Sequence, residues 1–255
     1  MRKSIIICLV AVFAALHTTL YFLPYALWRN WAVLLGPIEG IILGPYVGFF
    51  AALLGSSISR IVAFDPFWMF GIIAEPVSVL IVGLLSRRVW KPALLACAMM
   101  LLAYSAHPFG RSLPLWTILD VLAALILIYP AARLSNRLFS PTLKGKSTAV
   151  LLISFVGIAT DSLVRVFLLI PCGLSGLFFT SFEQVSAVFT GGAVASYIED
   201  SLVVAVSLLV GVVLIVRLSK QGLQLEPANK KGEKNAGEPD LLAEKTEKLL
   251  NNVKP

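Results

Sequence analysis

Long apolar runs, separated by short polar breaks marked with proline or glycine, occupy most of this chain. The pattern predicts hydrophobic segments at 5–23, 33–43, 45–62, 68–86, 93–107, 115–134, 147–170 and 188–217. Backbone groups in hydrocarbon must be satisfied within the segment, so runs of this kind are expected to be helices. A bilayer core of about 30 Å needs roughly 20 helical residues, and 33–43 is short for that span. It meets 45–62 at Gly44-Pro45, a pair that should break a helix. Residues 33–62 are therefore either a short helix, a tight turn and a return helix, or a single broken helix.

Composition agrees with the segment pattern. Of 255 residues, 58% are hydrophobic, and mean hydropathy is +0.88. These values indicate an all-α polytopic membrane protein rather than a soluble domain. Residues 5–23 are long for a signal-peptide core and no clear cleavage site follows, so they are expected to be an uncleaved first helix. The formal charge of +7 does not indicate nucleic acid, because the basic residues gather at helix ends, where they set topology. With eight passes, Arg2, Lys3, Arg87, Arg88, Lys91, Arg133, Arg137, Lys144, Lys146, Arg217 and Lys220 fall on one side. Arg29, Arg60, Arg111 and Arg165 fall on the other. The positive-inside rule then favours two passes for 33–62 and places both termini in the cytoplasm. Residues 1–220 form the expected transmembrane domain. Residues 221–255, rich in Glu and Lys with few large apolar residues, are expected to be a disordered cytoplasmic tail.

The informative exceptions are ionisable residues within apolar runs: Glu75, Asp161, Arg165, Glu199 and Asp200. A charge at the bilayer centre costs about 2.5–3.5 kcal/mol on insertion scales, so such residues face partners or a watery cavity. With the N-terminus inside, all five fall towards the outer side, as does Arg60 at the end of its segment. An outward-opening polar pocket is the common cause this suggests. Pairing for assembly is the alternative: Asp161 and Arg165 are four apart on one helix face, and Glu75 can pair with Arg60. Glu199 and Asp200 are adjacent and point in different directions, and Glu199 has the more polar neighbours. Asp120, at the start of its segment, reads as a solvated or capping residue.

The loop Leu23-Pro24-Tyr25-Ala26-Leu27-Trp28-Arg29-Asn30-Trp31 carries Trp28, Asn30 and Trp31. Its aromatics suit an interfacial belt or a cap that stacks on a flat ligand. Gly36, Gly40, Gly44 and Gly48 recur every four residues, and Ala11 and Ala15 do the same in the first helix. Small residues at this spacing let helices approach closely.

Together, the Ala-bearing first helix, the aromatic loop and the stretch Gly36-Pro37-Ile38-Glu39-Gly40-Ile41-Ile42-Leu43-Gly44-Pro45-Tyr46-Val47-Gly48, continued by Phe50-Ala51-Ala52-Leu53-Leu54-Gly55, resemble the S component of energy-coupling factor (ECF) transporters. The likeness covers about 5–90 and 147–217. It implies a six-helix core, here with an inserted helical pair at 93–135. It also implies capture of a vitamin or related micronutrient from outside, with Trp28, Asn30, Trp31, Glu75, Asp161, Arg165 and Glu199 as candidate ligand contacts. Ala11 and Ala15 match the family's AxxxA motif, which meets the transmembrane coupling (T) subunit, and two cytoplasmic ATPases complete the assembly.

Other classes have less support in the residues. No Walker motif, Gly-x-Ser-x-Gly elbow or H-E-x-x-H pair occurs, so no catalytic role, cofactor or metal is expected. A solitary proton-coupled transporter using Glu75, Asp161 or Glu199 is the alternative. An aspartyl pair of Asp161 and Asp200 is the one enzymatic arrangement that spacing leaves open.

Overall fold

The computed structural model describes residues 3–23, 29–63, 66–140 and 142–220, all within one compact unit, Met1–Leu225. Trp28 and the tail 221–255 lie outside the described residues. The chain forms α1 (Lys3–Tyr21), α2 (Gly36–Leu43), α3 (Pro45–Val62), α4 (Trp68–Ser86), α5 (Trp90–Ala106), α6 (Pro108–Ser112), α7 (Leu119–Leu134), α8 (Leu143–Leu169), α9 (Ser175–Phe178), α10 (Phe182–Val206) and α11 (Val212–Lys220). Short 3-10 turns occupy Trp31–Leu34, Leu115–Ile118 and Ser135–Phe139, and a π-helical turn, Ser207–Gly211, joins α10 to α11. No strand occurs among the described residues.

Among the described residues, six helical stretches are long and apolar enough to cross a membrane: Ser4–Tyr21, Pro45–Val62, Trp68–Ser86, Leu115–Phe139, Leu143–Leu169 and Phe182–Leu218. The protein is thus an all-α bundle that fits a multi-pass membrane protein. The surface agrees, since Ile7, Ile61, Leu102, Ile126 and Leu209 are all strongly exposed. Apolar side chains turned outward on most helices, around charged groups turned inward, are at home in lipid and not in water.

The Gly44-Pro45 break makes a return helix. Gly44 adopts φ +82°, a conformation open to glycine, and Pro45 starts α3 where its missing N–H costs nothing. Gly40 and Gly48, equally far from the turn, come together: a Cβ on Gly48 would lie 3.6 Å from the Gly40 Cα. Chain reversal follows from that contact. α2, at 8 residues, and α5, at 17, are shorter than those six stretches.

α8 is central, packing on α4, α7, α10 and α5. One large core joins α4, α5, α7 and α8 through residues such as Leu85, Ile128 and Ile153. The α5 and α7 pair therefore contributes to the main core.

Candidate functional site

Where α1, α3, α5 and α8 end and α4, α7 and α10 begin, the bundle opens into a cavity of about 620 Å³. Periodicity explains its walls. Ser162, Arg165, Val166 and Leu169 form one face of α8, while Val188, Phe189, Gly192, Ala193 and Ser196 form one face of α10. Both sets follow the three-and-four spacing of a helical stripe. Phe67, Phe70 and Phe179 add aromatic surface, and Phe67 and Phe70 also pack on Phe178.

Behind this lining lies a buried ionic network. Glu75, at mid-α4 just before Pro76, is its hub. Its Oε1 accepts from Arg60 Nη2 at 2.7 Å, Asn30 Nδ2 at 2.9 Å and Arg165 Nη2 at 3.4 Å. Its Oε2 faces His17 Nε2 at 2.9 Å and accepts from the Ser56 hydroxyl. Parts of the chain far apart in sequence thus converge on one carboxylate. Gly71, one turn before Glu75, leaves room for Arg60: a Cβ there would lie 1.7 Å from its Nη2. The Arg60 guanidinium also lies 5.1 Å over the Tyr21 ring, a cation–π contact.

Arg29 organises the other side. Its Nε lies 2.9 Å from Glu199 Oε2, its Nη2 is 3.3 Å from Asp200 Oδ1, and its Nη1 is 3.6 Å from Asp161 Oδ2. The same Nη2 donates to Ser162 at 3.1 Å and to Ser196. Asp161 links the two halves, accepting from Arg165 Nε at 2.7 Å. At the far end of the network, Glu39 Oε2 stands 3.6 Å from His17 Nδ1.

Of the sequence candidates, Asn30 and Arg165 line the cavity. Arg165 has 21% of its side chain exposed while paired to both Glu75 and Asp161. Glu75, Asp161 and Glu199 sit behind the lining, occupied by Arg60, Arg165 and Arg29. Trp31 packs against the small core of Val33, Leu34, Ile158 and Val203. Glu199 and Asp200, expected to point in different directions, both reach Arg29. That guanidinium also stands between Asp161 and Asp200, the two acids of the conceivable aspartyl pair. Ala11 and Ala15 are exposed on α1, whereas Ala14 is buried against α3.

Sequence reasoning did not count Arg29, Arg60 or Asp120 among the ligand contacts, yet all three line the cavity. It also left out His17, which is 1% exposed and bound to Glu75. A histidine late in an apolar helix was the available signal for His17. For Arg29, the signal was its place beside Asn30 in the loop. Among the described residues, no group of three or more His, Cys, Asp or Glu residues is arranged to hold a metal ion.

Comparison with known proteins finds one informative relative. A 131-residue stretch, 51% of this chain, is 28% identical to an uncharacterized protein of Methanocaldococcus jannaschii. The match spans 44% of that protein, less than half of its length. No family model matches the chain, and no solved structure does.

Proposed function

We propose that this chain is the membrane-embedded substrate-binding subunit of an ECF-type importer, taking up a small polar nutrient of the vitamin or micronutrient class. The cavity carries the reading. It is of ligand size, partly lined by aromatic side chains, and exposes a guanidinium, Arg165, already held in place by Asp161 and Glu75. An arginine fixed in this way is pre-organised for an acidic or carbonyl group and loses little freedom on binding. The helix–turn–helix at Gly44-Pro45 and the exposed Ala11 and Ala15 support the same reading. In it the cavity opens outward, both termini are cytoplasmic in the cell membrane, and α5 and α7 are an insertion into a six-helix core. The chain itself performs no catalysis. The T subunit meets α1, and two ATPases supply the energy.

Gentle affinity purification from native membranes tests this. Co-purification of a T subunit and two ATPases supports the proposal. Repeated recovery of the chain alone overturns it.

One observation favours a second reading, a solitary proton-coupled carrier. Glu39 is fully buried, and neither of its oxygens makes a hydrogen bond, although His17 and then Glu75 stand next in line. Such a chain of titratable groups suits proton movement. Uptake into proteoliposomes containing only this chain, driven by a pH gradient, would favour the carrier.

A further inference from the structure

The buried network has more acids than bases, and the surplus is localised. Among the described residues, the buried acids Glu39, Glu75, Asp120, Asp161, Glu199 and Asp200 outnumber the cations in the network, Arg29, Arg60, Arg165 and His17. Arg60 and His17 sit with Glu75 and Glu39, and Arg165 sits with Asp161. Arg29 must then serve both Glu199 and Asp200 and acts on Asp120 only from farther off, so among the described residues Asp120 has no ion pair of its own. Asp120 adjoins Asp200 in the first turn of α7. It lines the cavity, is 7% exposed, and its Oδ1 has no hydrogen-bond partner. The two carboxyls stand close enough to hydrogen-bond when one of them is protonated, and beyond that contact Asp200 Oδ2 has no hydrogen-bond partner. An acid in a first turn favours the helix dipole, but that role calls for neither a second buried carboxyl beside it nor a place on a cavity wall. Leaving a buried acceptor unmatched costs free energy that a ligand donor recovers.

We infer that Asp120, backed by Asp200, receives a positively charged nitrogen of the captured molecule, a protonated amine or nitrogen heterocycle carried on an apolar body. The inference rests on the reading of the cavity as a capture site. Ile118, Val121, Phe189 and Ala193 give this part of the cavity an apolar wall, with Thr117 and the Arg29 guanidinium that holds Asp200 as its polar members. Phe189 is stacked on Tyr104, and an aromatic face also attracts organic cations. These walls suit an organic cation better than a metal ion, and the described residues hold no three-ligand cluster for a metal. With Arg165 as the acid-binding group, the site takes an amphoteric molecule, basic at one end and acidic at the other.

The test uses the purified full chain in lipid nanodiscs and three matched probes at millimolar concentration: benzoate, benzylamine and para-(aminomethyl)benzoate, with calorimetric affinities. The amphoteric probe is expected to bind the wild-type chain about tenfold or more tightly than benzoate, the worth of one charge-assisted hydrogen bond. Asp120→Asn should abolish that margin. Asp200→Asn should reduce the margin, and serves if the first variant fails to fold. Equal binding of benzoate and the amphoteric probe by the wild-type chain overturns the inference while the capture reading stands. A margin that survives in folded Asp120→Asn overturns it too. Binding of benzylamine without benzoate supports the Asp120 subsite and overturns Arg165 as the acid anchor. No binding of any of the three overturns both.

Discussion

Arg29 holds the Glu199 carboxylate twice: its backbone N–H donates to Oε1 at 2.8 Å, and its guanidinium Nε lies 2.9 Å from Oε2. The residues are 170 positions apart, so this contact ties the start of the chain's descent into α2 to the middle of α10. Both side chains are 2% exposed. Breaking a buried pair strands a charge, at a cost of about 3–5 kcal/mol. Arg29→Ala and Glu199→Ala should each destabilise the folded protein by about that amount. The double variant should lose less than their sum, because Glu199 is then not left stranded, although Asp200 still loses its partner in Arg29. Thermal unfolding in detergent with a double-mutant cycle measures the coupling.

Glu75 and Arg165 should separate stability from binding. Glu75→Ala removes the acceptor shared by Arg60, Asn30 and Arg165, and should lower stability by about 3–5 kcal/mol. Arg165→Ala acts at a partly exposed side chain, so its stability cost should be smaller. Its benzoate affinity should fall about tenfold or more. Unfolding curves and calorimetry on the two variants make the comparison, and unchanged benzoate affinity would make Arg165 a structural residue.

Gly71 is a position where a single methyl should be felt at a distance. Its Cβ would overlap the Arg60 guanidinium, which must then leave the Glu75 carboxylate. Gly71→Ala is expected to cost about 1–3 kcal/mol, the usual range for overpacking. Gly191→Ala is the control: nothing lies within 4 Å of a Cβ there, and inside α10 it should hold or gain stability, by up to about 1 kcal/mol. A Gly71→Ala protein as stable as the control would show that Arg60 has another place to go.

Ala11→Trp and Ala15→Trp alter an exposed face of α1. Neither should change unfolding by more than about 0.5 kcal/mol, as is usual for substitutions outside the core. Under the proposed function, each should abolish co-purification of the coupling subunit while probe binding persists. Intact assembly in both variants would remove this face from the interface.

The hydrophobic pattern carried the helices, and for a physical reason. In lipid a backbone must bond within its own helix, so apolar length alone marks an element. The expected segments 45–62 and 68–86 coincide with α3 and α4, and the Gly44-Pro45 turn was legible because glycine and proline act on the local backbone. Ionisable residues in apolar runs were equally legible as members of a polar centre, since isolated charges in hydrocarbon are so costly. Their roles were not legible. Whether Glu75 faces a ligand or partners within the protein depends on which side chains arrive from α1, α3, α8 and the loop carrying Asn30, and spacing within α4 says nothing about that. Asp161 and Arg165 form the pair their spacing suggested, yet Arg165 still reaches the cavity. Glu199 and Asp200 diverge on their helix but meet at Arg29, because a guanidinium is wide enough to collect both. Asp120 has the sequence position of a helix-end acid, and only the packing of α10 against the start of α7 brings Asp200 beside it. Local preferences are written along the chain. The assignment of charges to partners is a property of the assembled bundle, because an electrostatic pair is set by distance in space.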